Sequence, residues 1–230
     1  MNLSTPEIRR DFERVAAATV REAGGFAASI LADVAGRRGT MDGRIAAINP
    51  ALRMAGPAFT VEVRPGDNLM IHAALSLAQP GDVLVVDGKG DRTCALMGSL
   101  MITTCRKIGL AGVVIDGAVR DTEELRALGI PVYAVCSNPN GPLKVAPGRI
   151  NHPISCGNMA VNPGDLIVGD ADGVVVVERD KARSLLAAAG RKVEEERLRF
   201  VEIDEGRNLK PQWLDGALRA AGLLKDGESL

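Results

Sequence analysis

Apolar positions in this chain come in short aliphatic blocks set between turns rich in glycine, proline and aspartate. Phe59-Thr60-Val61-Glu62-Val63 alternates and is β-branched, which predicts a strand. Pro65-Gly66-Asp67 is a turn leading into a helix over Asn68–Leu77. Pro80-Gly81-Asp82 then enters a buried-type strand at Val83–Val86. A helix over Ala95–Ile108, a strand at Val113–Ile115, a short helix over Thr122–Leu128 and a strand over Pro131–Val135 follow. These make two consecutive strand-helix-strand units, and such units are normally parallel crossovers.

Outside this stretch the pattern changes. Ser4-Thr5-Pro6-Glu7 reads as a helix start, with the helix running to Gly24-Gly25 and a second one spanning Phe26 to Ala35. Residues 39–56 read as loop and short strand. Residues 137–178 are rich in glycine, proline and asparagine. There Leu166-Ile167-Val168 and Val174-Val175-Val176-Val177 predict a mainly antiparallel second half. From Arg179 to about Gly206 the chain is helical and charged, and a short helix near Trp213–Ala221 closes it. The fold class is therefore α/β, with parallel crossover units plus an antiparallel second half. We divide it into a main domain over 1–206 and a helical extension over 207–230.

Composition narrows the function. Hydrophobic residues make up 46% and aromatics 3%, so the core is aliphatic and stacking platforms for single-stranded nucleic acid are scarce. A net charge of −1 leaves no basic footprint, so no nucleic acid partner is expected. Cys94, Cys105, Cys136 and Cys156 form no C-x-x-C pair and read as reduced thiols, which points to a cytoplasmic protein. The start lacks the pattern of a signal peptide, and no apolar run approaches a membrane span, so no membrane partner is expected.

Candidate chemistry gathers between Asp87 and Asp121. Ligands of crossover units collect beyond the carboxyl ends of the strands. That places Asp87, Asp116, Arg120, Asp121 and the start of the Gly98 helix near one cleft. Arg120 offers a two-point grip on a carboxylate, or is a surface arginine at a helix start. Asp121 offers a hard oxygen ligand for Mg²⁺, or caps the helix that Asp121-Thr122-Glu123-Glu124 begins. The first amides of the Gly98 helix form an anion site, although Leu100 and Met101 read equally as core side chains. His72 is a possible acid or base, or faces a neighbouring turn. Asp87 is read as tying off a glycine turn. Lys144 is considered as a Schiff-base lysine and set aside, since exposed strand lysines are commoner. Residues 191–199 make a helix polar nearly all round, which fits a segment reaching a neighbour. There Arg191–Glu195 and Glu195–Arg199 have the spacing of a solvated ion-pair ladder.

Several motifs resemble one family. Gly98-Ser99-Leu100-Met101, Gly112-Val113-Val114-Ile115-Asp116-Gly117 and Val119-Arg120-Asp121 resemble the 4-hydroxy-4-methyl-2-oxoglutarate / 4-carboxy-4-hydroxy-2-oxoadipate aldolases. Those enzymes are homologous to the RraA regulators of ribonuclease E. Pro65-Gly66-Asp67-Asn68 with His72, Gln79-Pro80-Gly81-Asp82, Pro163-Gly164-Asp165 and Asp172-Gly173-Val174-Val175 add to the match, which covers roughly residues 15–206.

The resemblance implies an RraA-like layered α/β sandwich with a swivelling β/β/α core, assembled as a homotrimer or homohexamer. It implies a divalent metal, Mg²⁺ or Mn²⁺, with Asp121 as its direct protein ligand. Arg120 would hold the carboxylate of pyruvate, and Gly98, Ser99, Leu100 and Met101 would bind the oxo acid, the last two through their amides. Ser99 departs from the family, whose aldolases carry an acidic residue there that meets metal-bound water. Glu196 aligns with a family glutamate that reaches the metal's water shell from the adjacent subunit, with Glu194 and Glu195 as close competitors. The implied reaction is retro-aldol cleavage of a 4-hydroxy-2-oxo acid to give pyruvate, with oxaloacetate decarboxylation as a side activity. The alternative is a non-catalytic regulator that binds ribonuclease E, although regulator-type members lack the ligating aspartate.

Overall fold

The computed structural model describes residues 7–230. They fall into two compact units, the first ending at Ala189 and the second running from Gly190 to Leu230.

The first unit opens with β1 (Glu7–Ile8), α1 (Ala17–Ala23) and α2 (Ala28–Val34), then β2 (Ala46–Ala47) and β3 (Met54–Glu62). Three helical crossovers follow. The first passes through α3 (Leu69–Leu75) to β4 (Val83–Met97). The second passes through α4 (Ser99–Ile108) to β5 (Gly112–Val119). The third passes through α5 (Thr122–Ala127) to β6 (Val132–Ser137). Short strands β7 (Arg149–Ile150), β8 (Ile154–Cys156) and β9 (Met159–Val161) lead to the hairpin of β10 (Leu166–Asp170) and β11 (Gly173–Val177). A 3-10 turn at Arg179–Lys181 enters α6 (Ala182–Asp204), which continues into the second unit. The second unit also holds α7 (Leu214–Ala220).

Strands β3, β4, β5 and β6 pair in parallel in that order. β3 serves two sheets. Its Ala58–Glu62 half pairs with β4, and its Met54–Pro57 half pairs antiparallel with β10. Strand alternation then sorts the core into layers. Phe59, Val61, Leu84, Val86, Val113 and Ile115 face α3, α4 and α5. Ala58, Val83, Val85 and Val114 face the opposite way, onto Ile167, Val174 and Val176 of the hairpin. The other hairpin face, Leu166, Val168, Val175 and Val177, packs on α1, α2 and the first turns of α6. Helices, parallel sheet, antiparallel hairpin and helices therefore stack in sequence, as a mixed α/β fold. The crossover strands are buried on both faces, which explains their unbroken Val/Ile/Leu runs.

Three expectations change. The Phe59 strand feeds α3, so there are three crossovers where two were counted. The helix expected from Ser4 to Gly24-Gly25 begins at Ala17; residues 4–6 lie outside the described residues. Instead, Glu7–Ile8 pair in parallel with Arg149–Ile150, and Phe12 packs edge-on against Phe59 at 5.8 Å. Edge pairing and aromatic contact outweigh the local helix signal. Finally, Ala95–Met97 belong to β4 and not to the following helix. They pair with Ala118–Val119 and are buried, so sheet pairing overrides the helix propensity of Ala-Leu-Met.

Candidate active site

Adjacent strands bring the candidate residues together. Met97 at the end of β4 pairs with Val119 at the end of β5, and the Arg120 amide donates to the Met97 carbonyl at 3.1 Å. Each strand leads directly into a helix, so the start of α4 lies beside Arg120 and Asp121. Asp121 stands at the N-cap position of α5 with φ 58°, a left-handed conformation that aspartate tolerates better than most residues. Its side chain makes no cap bond to α5. Its Oδ2 instead accepts from the Ser99 amide at 2.8 Å and the Ser99 hydroxyl at 3.0 Å. The Ser99 amide, followed by its hydroxyl, holds the Asp121 carboxyl below its usual value, so it is ionised at neutral pH. Oδ1 takes no hydrogen bond from the described residues.

Gly98 is required by contact, not by backbone strain. A Cβ there would sit 2.5 Å from Asp121 Oδ2 and 2.9 Å from Arg120 Cγ. Arg120 Nε lies 3.9 Å from Asp121 Oδ2, outside hydrogen-bond range, and the guanidinium makes no hydrogen bond among the described residues. Its donors are free. The Leu100 and Met101 amides are also without backbone partners there, as expected for the first turn of a helix.

These groups line a cavity of about 230 Å³, whose wall also includes Asn68, His72, Pro142 and Lys144. Arg120 and Asp121 also line an open groove of about 330 Å³ with Thr122 and Ser137–Pro139. A larger cavity of about 590 Å³ lies elsewhere in this unit, among α2, β11 and the start of α6. Its wall carries Arg38 and Glu178, the latter paired with Lys181 at 2.8 Å, whereas the smaller cavity sets an arginine and an ionised carboxylate beside the first amides of a ten-residue helix and is the better chemical candidate. Lys144 reaches its wall because Asp67 pins the loop, with Oδ2 accepting from the Val145 and Ala146 amides at 2.8 and 3.0 Å. Burial raises the Asp67 pKa, but those amides and that of Leu69 outweigh it and leave the carboxyl lowered.

Residues 17–176 match the RraA-like family model, described as Aldolase/RraA. The chain belongs to the RraA-like family. A protein of Halalkalibacterium halodurans named "Putative 4-hydroxy-4-methyl-2-oxoglutarate aldolase" is 40% identical over 158 residues, covering 69% of this chain and 75% of its own. A Burkholderia mallei protein of the same name is 40% identical over 124 residues, covering 54% and 74%. Among solved structures, Streptomyces coelicolor RraAS2, described as an unusual member of the RNase ES inhibitor RraA family, aligns with TM-score 0.75 at 28% identity. That alignment covers 82% of this chain and 98% of the other. The RNA-processing inhibitor RraA from Thermus thermophilis aligns with TM-score 0.61 at 30% identity, covering 66% and 92%.

Within this RraA-like fold the donor set limits the metal. Among the described residues no three His, Cys, Asp or Glu side chains cluster closely enough to hold an ion. One ionised carboxylate with a free oxygen does not fit Zn²⁺, which takes three or four protein ligands. It does fit Mg²⁺ or Mn²⁺, hard ions that keep several waters.

Some expected residues lie elsewhere. Asp87 and Asp116 do not line the cavity. Asp87 accepts from the Lys89 amide and ammonium at 3.1 and 2.6 Å, which is the turn role. Burial raises its pKa despite that partner. Asp116 binds Arg44 and the Gly157 amide. Leu100 is no core residue, being 84% exposed, whereas Met101 packs on the core beneath the parallel sheet. Leu143 and Val145, the apolar neighbours of Lys144 in sequence, are exposed and give the lysine no apolar surroundings. Glu196 lies in the second unit, with Oε1 3.4 Å from Lys192 Nζ. The charged helix forms Lys192–Glu196, Glu194–Arg197 and Arg199–Glu202 pairs in place of the ladder through Glu195. Sequence reasoning assigned no role to Asn68. Its signals were its place at the start of the helix after Pro65-Gly66-Asp67 and its inclusion in the motif that resembles the family.

No helix among the described residues is long and apolar enough to cross a membrane. All four cysteines are free.

Proposed function

We propose that this protein is a divalent-metal-dependent aldolase that cleaves 4-hydroxy-2-oxo acids and releases pyruvate. The substrate would be 4-hydroxy-4-methyl-2-oxoglutarate or 4-carboxy-4-hydroxy-2-oxoadipate, and oxaloacetate decarboxylation would be a side activity. One observation carries this reading. The unpartnered Arg120 guanidinium, the ionised Asp121 carboxylate and the free amides of Leu100 and Met101 share one small cavity. The names of the relatives point the same way.

Arg120 presents a planar two-point donor to the pyruvyl carboxylate. The α4 amides donate to its oxygens from a helix N-terminus, which favours negative charge. In retro-aldol cleavage a water in the cavity takes the C4 hydroxyl proton. C4 becomes the carbonyl carbon of the second product as the C3–C4 bond breaks, and the electron pair passes toward the C2 oxygen, the proton returning from water to C3. Arg120 and the amides stabilise that developing charge without reorganising. Protonation at C3 gives pyruvate. Loss of CO₂ from oxaloacetate leads to the same charge on the same atoms. Asp121 would hold Mg²⁺ or Mn²⁺, which supplies further positive charge to polarise the 2-oxo group. Ser99 has no basic group, so it positions Asp121 and does not take the proton.

Glu196 is proposed to complete the site of a neighbouring subunit in a homotrimer or homohexamer. Mixing Asp121→Ala with Glu196→Ala subunits should then restore activity that neither variant has alone. Mixed oligomers without rescue would remove Glu196 from the site.

The main test is a coupled pyruvate-release assay with oxaloacetate and both hydroxy-oxo acids. Chelation should abolish the signal and Mg²⁺ or Mn²⁺ should restore it, and Asp121→Ala should lose it while keeping its fold. Full turnover in excess chelator, with borohydride trapping of Lys144, would overturn the mechanism. A second reading, a non-catalytic ribonuclease E regulator, is favoured by the RraA structures and by Ser99 in place of an acid. No pyruvate release together with slowed ribonuclease E cleavage would establish it.

A further inference from the structure

Asn68 is the unexplained residue on the cavity wall. It is 3% exposed, and its Oδ1 is buried with no hydrogen-bond partner. Native chains rarely leave a buried acceptor unpaired without cause. The amide orientation is set by its other end. Nδ2 donates to the Leu96 carbonyl at 2.9 Å and lies 3.3 Å from Met101 Sδ. Flipping the amide would turn Oδ1 toward two acceptors. The side chain is also free of local duty. Asn68 stands at the N-cap position of α3 but its side chain makes no cap bond, the Ile71 amide being taken by its own backbone carbonyl at 3.1 Å.

Apart from the Asp121 carboxylate, which the proposed function assigns to the metal, and the His72 ring, which can donate or accept, the rest of the site offers donors. Arg120, the Leu100 and Met101 amides and Lys144 all donate hydrogen bonds. A 4-hydroxy-2-oxo dicarboxylate presents two carboxylates and a 2-oxo group, which at neutral pH only accept. Its one donor is the 4-hydroxyl. Oxaloacetate in its keto form has none.

We infer that Asn68 is a specificity-determining residue whose Oδ1 accepts a hydrogen bond from the substrate's 4-hydroxyl. This rests on the aldolase reading above. Oδ1 is closed to solvent, so the hydroxyl meets it when the side chains around Asn68 on the cavity wall give way on substrate binding. The acceptor selects aldol substrates over acids that share only the pyruvyl half.

The test compares kcat/KM for 4-hydroxy-4-methyl-2-oxoglutarate cleavage with kcat/KM for oxaloacetate decarboxylation. Losing one hydrogen bond to substrate should make Asn68→Ala shift that ratio about tenfold or more toward oxaloacetate. A merely structural role would lower both activities in step, and an unchanged ratio would overturn the inference while leaving the aldolase reading intact. The unaltered protein gives a second measurement that does not depend on how a variant folds. 4-Hydroxy-2-oxoglutarate and 2-oxoglutarate differ by the hydroxyl alone, and the hydroxylated acid should compete with oxaloacetate about tenfold more tightly. Equal competition would also overturn the inference. An unaltered protein that turns over no substrate with Mg²⁺ or Mn²⁺ would instead overturn the aldolase reading, and this inference with it.

Discussion

Replacing Gly98 with alanine tests the site at its tightest point. The added Cβ would lie 2.5 Å from Asp121 Oδ2 and 2.9 Å from Arg120 Cγ, against about 3.4 Å for ordinary contact. The backbone has φ −140°, which alanine adopts freely, so the effect is steric. Relieving the clash by moving the carboxylate requires a shift of about 0.9 Å. If the carboxylate moves directly away from Ser99, the 2.8 Å bond from its amide stretches to about 3.7 Å and is lost. Asp121 is about one-third exposed, so water replaces much of that bond and the net stability cost is about 1 kcal/mol. A chain of this size would lose about 2–4 °C in Tm. The catalytic cost is larger, because a displacement near 1 Å in a reacting site lowers rate about a hundredfold. Thermal melting followed by circular dichroism and the coupled pyruvate assay read the two effects separately. A Gly98→Ala protein with kcat/KM within about twofold of the unaltered protein would refute this account of the site.

Three further outcomes follow from the same geometry. Ser99→Ala removes one of two donors from Asp121 Oδ2, so the carboxyl pKa rises toward its ordinary value; Asp121 stays charged above that pKa, and activity should fall away at higher pH on acidification, read as a shifted acid limb of kcat/KM. Arg120→Lys should lose about tenfold or more in kcat/KM for every pyruvyl substrate, since lysine cannot reproduce a two-point grip, and unchanged constants would show that Arg120 faces elsewhere. Burial pushes the Cys105 thiol up to about 12 and raises Cys156 well above its usual value, so titration with a thiol reagent at pH 8 should modify the partly exposed Cys136 first and reach the other two only on unfolding.

The crossovers were legible because their signals are local. Val83–Val86 and Val113–Ile115 are short apolar runs bounded by turns, and such runs report burial on both faces. Pro-Gly-Asp at 65 and 80 marked where the chain turns into a helix or strand. Arg120, Asp121 and the Gly98 turn could be named because strand ends of parallel units gather ligands. The extended entry from Glu7 to Phe12 was not legible, since its partners Arg149–Ile150 and Phe59 are distant in sequence. Propensity also placed Ala95–Met97 in a helix, where pairing with Ala118–Val119 holds them in β4.

The same division runs through the site. Residue types and order established the α/β class, the arginine-aspartate pair and the glycine-led helix, because these depend on neighbours along the chain. The partners of those groups depend on neighbours in space. Asp121 reads as a cap for its own helix, yet its carboxylate binds Ser99 at the start of α4, because β4 and β5 lie side by side. Asp87 and Asp116 read as companions of Arg120, yet Lys89 and Arg44 hold them away from the cavity. Asn68 reads as the first residue of a helix, and only the fold sets it on the cavity wall among Leu96, Met101 and Lys144. Hydrogen bonds and close contacts act over a few ångströms, and folding alone sets which residues, distant in sequence, come within that reach.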